Sequence, residues 1–253
     1  MLINIDAEQK AILQFSGGKD STALLYLTAE SGCLHGVEVA FVNSGAILPE
    51  IEDHIAKTCE VLGARLTVLR GDKTVIERTA TLGLPTDLVP AWSDSAFAWL
   101  SRDPPPQLFQ APMSCCSDTL WAPMHAHVLA SGCKLVLRGA KAADKHRGVP
   151  PGFVDDNGIR YEAPLWDWTN PEIFAYLEKR GVELPRHYAE FTDSFDCWCC
   201  TAYLTTDYGA KKLAYIKREH PQYWPELSAR LATLRAALRG ESALIDIAIS
   251  QVL

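Results

Sequence analysis

The stretch Ala11-Ile12-Leu13-Gln14-Phe15-Ser16-Gly17-Gly18-Lys19-Asp20-Ser21-Thr22-Ala23-Leu24-Leu25-Tyr26-Leu27 decides how this chain is read. An apolar strand runs through two glycines into an apolar-rich segment of helical character. A strand–glycine–helix turn of this kind leaves backbone N–H groups aimed at one point. The helix dipole adds positive potential there, and Lys19 adds a full charge. Such a site suits an anion with several phosphate oxygens. A glycine pair alone would be explained by the sterics of the turn, but Lys, Asp and Ser in series describe a nucleotide cradle. The spacing is not that of a Walker A loop, which places four residues between its first Gly and Gly-Lys-Ser/Thr.

Outward from this loop, Val37–Val42, Leu66–Leu69 and Lys134–Arg138 read as further short apolar strands. Helical patterns fall near 20–31, 49–62, 72–82 and 117–131. Alternation of this type predicts an α/β fold with a doubly wound, mainly parallel sheet covered on both faces. Ligands of such sheets bind beyond the carboxyl ends of the strands, where the glycine turn already points. Asn170-Pro171-Glu172 predicts a helix start with Asn as cap and Pro in the first turn, and Gly181 its stop. The proline run 101–107 interrupts the alternation; it reads as a surface connection, with a lid as the functional alternative. After Cys200 the chain is helical, and Lys211, Lys212, Lys217, Arg218, Arg230, Arg235 and Arg239 read as the solvated faces of amphipathic helices.

At 253 residues the chain holds one large core, or a core with a small appendage. A domain over 1–204 and a helical C-terminal extension over 205–253 are expected. A formal charge of −7 argues against binding nucleic acid or anionic membrane through net charge. No signal-peptide pattern and no bilayer-length apolar run are visible, so a cytoplasmic protein without a membrane partner is expected.

In a reducing compartment the eight cysteines are not a disulfide framework. Cys33, Cys59 and Cys133 are scattered among apolar residues and read as inert buried thiols. The others form Cys115-Cys116 and Cys197-Trp198-Cys199-Cys200, two groups 80 residues apart that only the fold can join. Four cytosolic thiolates brought together bind a metal or an iron–sulfur cluster. Adjacent cysteines strain the angle at one zinc ion, whereas each can take a different iron of a cubane. A 4Fe-4S cluster on Cys115, Cys116, Cys197 and Cys200 is the better match; zinc and free thiols stay open, as does replacement of Cys197 or Cys200 by Cys199. His125 and His127 lie on different helix faces and do not form a joint metal site.

These motifs resemble the phosphoadenosine phosphosulfate (PAPS) reductase family, within the N-type ATP pyrophosphatases of adenine nucleotide alpha-hydrolase-like fold. The Ser-Gly-Gly-Lys-Asp-Ser loop is similar to their phosphate loop. Val42-Asn43-Ser44-Gly45 with Pro49-Glu50 is similar to their Asp-Thr-Gly … Pro-Glu segment. Leu137-Arg138-Gly139-Ala140-Lys141 with Lys145 and Arg147 resembles their basic loop, and the segment from Pro164 to Leu177 introduces their late helix. The paired cysteines resemble the cluster ligands of adenylyl sulfate (APS) reductases. The resemblance implies nucleotide contacts from Ser16, Gly17, Gly18, Lys19, Asp20, Ser21, Asn43, Gly45, Gly139, Lys145 and Arg147. It implies catalytic roles for Lys19, Asp20 and Lys141, with Mg²⁺ on the phosphates.

Three departures matter. Sulfonucleotide reductases use a C-terminal cysteine nucleophile, and here no cysteine follows Cys200. Where those reductases have Arg and Lys after the cysteine pair, this chain has Thr119 and Leu120. The loop also keeps the Lys-bearing form of members that use ATP and release pyrophosphate. The reading is therefore an iron–sulfur ATP pyrophosphatase that adenylates an acceptor, nucleic acid or small molecule, in sulfur transfer. The alternatives are an APS or PAPS reductase given its thiol in trans, and a nucleotide-binding redox sensor. A sulfur- or electron-donor protein and a homo-oligomer are compatible with the sequence, which fixes neither.

Overall fold

A computed structural model describes residues 10–88, 109–144, 148–195, 197–206 and 208–250. The proline run 101–107, Lys145 and Arg147 lie outside the described residues. The chain contacts itself as two compact units: Met1–Asp72 with Leu120–Phe195, and Lys73–Thr119 with Asp196–Leu253.

The first unit is built on a six-stranded sheet. Its strands are β1 (Ala11–Gln14), β2 (Val37–Val42), β3 (Arg65–Leu69), β6 (Leu135–Leu137), β7 (Phe153–Val154) and β8 (Arg160–Glu162), in the order β3-β2-β1-β6-β8-β7. All pairings are parallel except β7 with β8. The direction of travel reverses at β1, with β2 on one side and β6 on the other, and ligands of such sheets bind at the carboxyl ends there. The central strands are apolar apart from Gln14 in β1 and Glu38 in β2, as suits a sheet covered on both faces. Ile12, Ala40, Val42 and Val136 on one face pack with Met124 and Val128 of helix 122–131.

Helix α1 (Lys19–Glu30) follows β1, and α2 (Pro49–Leu62) follows β2, opening on Pro49 and closing on Gly63 in the left-handed conformation (φ +65°). The tail of α1 is tied to the later helix α6 (Asn170–Glu178). Arg180 donates from Nη2 to Glu30 at 2.7 Å and lies 3.4 Å over the Tyr176 ring, and the Tyr176 hydroxyl donates to Glu30 at 3.0 Å. The cap of α6 is Thr169 rather than Asn170. Its hydroxyl accepts the Glu172 N–H while the Glu172 carboxylate accepts the Thr169 N–H, a reciprocal arrangement that Asn170, one residue inside, cannot make.

The second unit holds α3 (Val75–Leu82), a two-stranded parallel pair β4 (Leu84–Pro85) and β5 (Phe109–Gln110), α4 (Pro112–Cys116), α7 (Gly209–Glu219) and α8 (Trp224–Ser250). Helix α3 starts at Val75, not near 72, because Thr74 and Glu77 form a capping box. The helix expected over 117–131 begins five residues earlier, at Pro112, and passes through a π-turn at Ser117–Trp121 before α5 (Ala122–Ser131). No described helix is long and apolar enough to cross a membrane.

Candidate nucleotide site and cysteine centre

The phosphate loop leaves β1 at Phe15 and turns at Gly17, whose φ of +72° favours glycine. A Cβ on Gly17 would meet Ile55 at 2.7 Å, and one on Gly18 would meet the Ser194 hydroxyl at 2.5 Å. Gly17 is thus fixed by conformation and by close approach, and Gly18, whose backbone is extended (φ −78°), by the nearness of Ser194 alone. Ser21 Oγ donates to the Gly18 carbonyl at 3.0 Å and lies 3.1 Å from Ser16 Oγ, closing the loop on itself. Gly18, the cap residue of α1, has no side chain to offer the helix. The Tyr188 hydroxyl accepts the Lys19 N–H instead, at 2.9 Å.

The basic loop after β6 lies against this turn. A Cβ on Gly139 would stand 2.8 Å from the Ser21 nitrogen and 2.9 Å from the Asp20 carbonyl carbon. Two residues on, Lys141 is 2% exposed and Lys19 is 4% exposed. Both converge on Asp20: Lys19 Nζ donates to Oδ2 at 3.0 Å and Lys141 Nζ to Oδ1 at 2.7 Å. Lys141 also pairs with Asp144 at 3.0 Å. Hydrogen bonds and charge from Asp20 and Asp144 raise the Lys141 pKa against the effect of burial, which is the largest single influence and acts downward. Lys141 is therefore held charged in the cleft and is not a solvated loop residue. Arg138 donates to the Val149 carbonyl at 2.6 Å and stacks over Tyr161, stitching the basic loop to the strand pair behind it.

Asn43 follows β2 at the same edge of the sheet. Its side chain donates to Glu52 and accepts the Gly45 N–H at 2.8 Å, shaping a turn in which Gly45 has φ +82°. Behind the loop, Thr22 is 3.1 Å from the His54 ring, and burial holds the His54 pKa down at about 4. His127 pairs with Glu38 at 2.8 Å and His125 is exposed, so neither joins the cleft.

All five grouped cysteines fall in the second unit. The parallel pair β4-β5 sets the geometry: Thr86 N–H donates to the Gln110 carbonyl and Gln110 Nε2 to the Gly83 carbonyl. From there the chain enters α4 and the first cysteine pair. The second group is fastened to the same strands, since Thr201 Oγ1 donates to the Pro85 carbonyl at 2.7 Å and Tyr203 N–H to Asp87 at 2.8 Å. Burial and the nearby Cys200 push the Cys115 thiol up to about 11, and Arg78 acts the other way. Burial drives Cys199 up to about 12, against Arg230 and Lys212. Arg78 also donates to the Ser114 carbonyl at 3.2 Å and to Asp118.

Sequence reading missed these cations. Lys212 and Arg230, expected on solvated faces, are 4% and 8% exposed, and Arg230 reaches the Thr79 hydroxyl at 2.9 Å. Burial favours the neutral thiol at Cys115 and Cys199, while Lys212 and Arg230 are buried near Cys199 and the buried Arg78 Nε has no hydrogen-bond partner. Among the described residues, no three Cys, His, Asp or Glu side chains are drawn together to hold a metal ion. Cys59 and Cys133 are buried as expected, whereas Cys33 is half-buried.

A parallel sheet with a lysine-bearing glycine loop and a basic loop at its switch point defines a nucleotide-binding α/β protein of adenine nucleotide alpha-hydrolase-like fold. The phosphoadenosine phosphosulfate reductase domain matches residues 10–203, and the chain belongs to that family. Its fold is similar to that of a phosphoadenylyl-sulfate reductase from Candida auris crystallised as a phosphate complex. The TM-score is 0.53 at 16% identity, covering 76% of this chain and 83% of that one. An FMN adenylyltransferase from Candida glabrata, in complex with ATP, aligns with a TM-score of 0.46 at 15% identity, over 72% of this chain and 50% of its own. Among curated proteins none matches.

Proposed function

We propose that this chain is an iron–sulfur ATP pyrophosphatase of the PAPS reductase family, which activates an acceptor by adenylation for sulfur transfer. The observation behind this reading is the convergence of two buried lysines, Lys19 and Lys141, on Asp20 at the head of α1. Charges this deep need partners, and a polyphosphate is a second anion that both ammonium groups can reach from their places beside Asp20.

In this reading Ser16, Gly17, Gly18, Lys19 and Ser21 receive the terminal phosphates of ATP, with Lys141, Lys145 and Arg147 on the phosphates or the acceptor. Asn43, Gly45 and Gly139 shape the nucleoside side of the cleft. Asp20 orients the two lysines, since each of its oxygens already accepts from one. Bound to the phosphates, Mg²⁺ supplies charge neutralisation on the leaving pyrophosphate. An acceptor oxygen forms a bond to the α-phosphorus, and the α–β bridging bond breaks, its electron pair leaving with pyrophosphate. A nucleophilic, sulfide-level sulfur from the donor then bonds to the activated acceptor carbon, and the carbon–oxygen bond breaks, its electron pair leaving with AMP. Cys115, Cys116, Cys197 and Cys200 would hold the 4Fe-4S cluster, which supplies redox or sulfur-handling chemistry when bound. Residues 1–204 form the nucleotide-binding domain, a span supported by a family match ending at 203, and 205–253 a helical extension. A cytoplasmic setting and a separate sulfur or electron donor belong to the same proposal.

Stoichiometric pyrophosphate release from ATP, dependent on an added acceptor and lost in Lys19→Ala, tests it. A second reading, APS or PAPS reduction with a thiol supplied in trans, is favoured by the family match. Sulfite release from either sulfonucleotide with a thiol donor, and no pyrophosphate from ATP, would replace the first reading with the second. ATP binding with neither activity would leave a nucleotide-binding sensor.

A further inference from the structure

The segment 186–195 lies over the phosphate loop in the first unit, and nothing in the proposed chemistry uses it. It opens with a 3₁₀ turn, Arg186–Ala189, after Gly181 in the left-handed conformation (φ +65°) and Pro185. Two hydroxyls point from it into the cradle. Tyr188 Oη accepts the Lys19 N–H at 2.9 Å, and Ser194 Oγ stands 3.1 Å from Tyr188 Oη and over Gly18. The Tyr188 ring is held edge-on by Phe174 at 5.9 Å and against His187 at 4.2 Å. Tyr188 also lines a cavity of about 340 Å³, together with Phe174, Leu177, Glu178, Val182 and Arg186 among others.

We propose that Tyr188 is a built-in occupant of the phosphate cradle, its hydroxyl standing where an oligophosphate oxygen binds the Lys19 N–H. The proposal rests on the phosphate-loop reading above and adds a regulatory contact to it. A neutral hydroxyl on an N–H forms a bond about half as strong as a phosphate oxygen does, so the anion displaces it. The hydroxyl keeps Ser194 as a partner when it leaves, and the cavity beside the ring gives the side chain room to withdraw. The contact therefore satisfies the head of α1 in the free protein and sets a threshold for the ligand. Monophosphates, with fewer contacts along the loop, meet that threshold less readily than pyrophosphate or ATP.

Calorimetric titration of the full chain with inorganic pyrophosphate and with Mg-ATP tests this in wild type, Tyr188→Phe and Lys19→Ala. Tyr188→Phe is expected to bind both about 3- to 10-fold more tightly, the range set by loss of one competing hydrogen bond. Unchanged or weaker binding in Tyr188→Phe, with wild type binding normally, overturns the occupant and leaves the phosphate loop standing. Absence of binding in both wild type and Tyr188→Phe overturns the phosphate loop itself, and the occupant with it. NMR of the wild type gives a second readout that needs no substitution. Pyrophosphate should move the Lys19 amide and the Tyr188 ring resonances together, and a Tyr188 ring that does not respond refutes displacement.

Discussion

Lowering the pH from 7 to 5 should loosen the phosphate helix through a single imidazole. His54 packs behind α1, 3.1 Å from the Thr22 hydroxyl, and burial depresses its pKa from the ordinary 6.5 to about 4. Its neutral form is the one the fold accepts, so the unfolded chain binds more protons between those two values. Stability is therefore full above about 6.5 and is lost as the pH falls towards 4. Linkage with these two values gives a loss of about 2 kcal/mol between pH 7 and pH 5. For a chain of this size that is a fall in Tm of roughly 4–8 °C. Urea unfolding of wild type and His54→Gln at the two pH values isolates the effect, because the other titrating groups are common to both. The wild type should lose about 2 kcal/mol more than the variant across the interval. Equal losses would falsify the assignment of a buried, neutral imidazole.

Other expectations follow from the same geometry. Gly139→Ala places a methyl group against the backbone of Asp20 and Ser21, and no flexible side chain is available to give way. Overpacking of this kind should cost about 1–3 kcal/mol and weaken ATP binding measurably; wild-type melting and affinity would refute the close approach. Thr169→Ala removes the cap of α6 and should cost about 1 kcal/mol in denaturant unfolding. Anaerobic purification of Cys116→Ser and Cys200→Ser should each yield lower iron and sulfide; full content in both would sink the ligand set. Arg78→Gln removes the cation beside Cys115, and its iron content should fall without a change in ATP affinity, checked by metal analysis and calorimetry together.

Much of the candidate site's arrangement could be read from the sequence because it is local. The loop between β1 and α1, the turn after β2 and the Gly139–Lys141 segment are each continuous stretches, and parallel strands bring their carboxyl ends to one edge. What was hidden lies across long separations. Tyr188 is 169 residues from the N–H it meets, and a tyrosine among His187, Phe191 and Phe195 reads as packing. Arg78, the cation beside Cys115, comes from another helix, 36 residues before the Ser114 carbonyl it reaches. Lys212 and Arg230 were misread because an amphipathic period identifies a polar face without saying which polar residues are covered. The cap of α6 was within reach: Thr169 with Glu172 three residues later is the capping-box spacing, and Asn170 with Pro171 drew attention one position too far.

The knot of Arg180, Glu30 and Tyr176 has a mechanical side. Helix α1 has 12 residues, a strut of about 18 Å. At its tail the knot binds the chain just before Gly181, and at its head Tyr188 meets Lys19 seven residues after that glycine. The backbone from Arg180 to Tyr188 thus runs beside the strut like a strap buckled at both ends. Undoing the contact at the head leaves the knot at the tail fast, so withdrawal of the Tyr188 side chain would leave the helix seated.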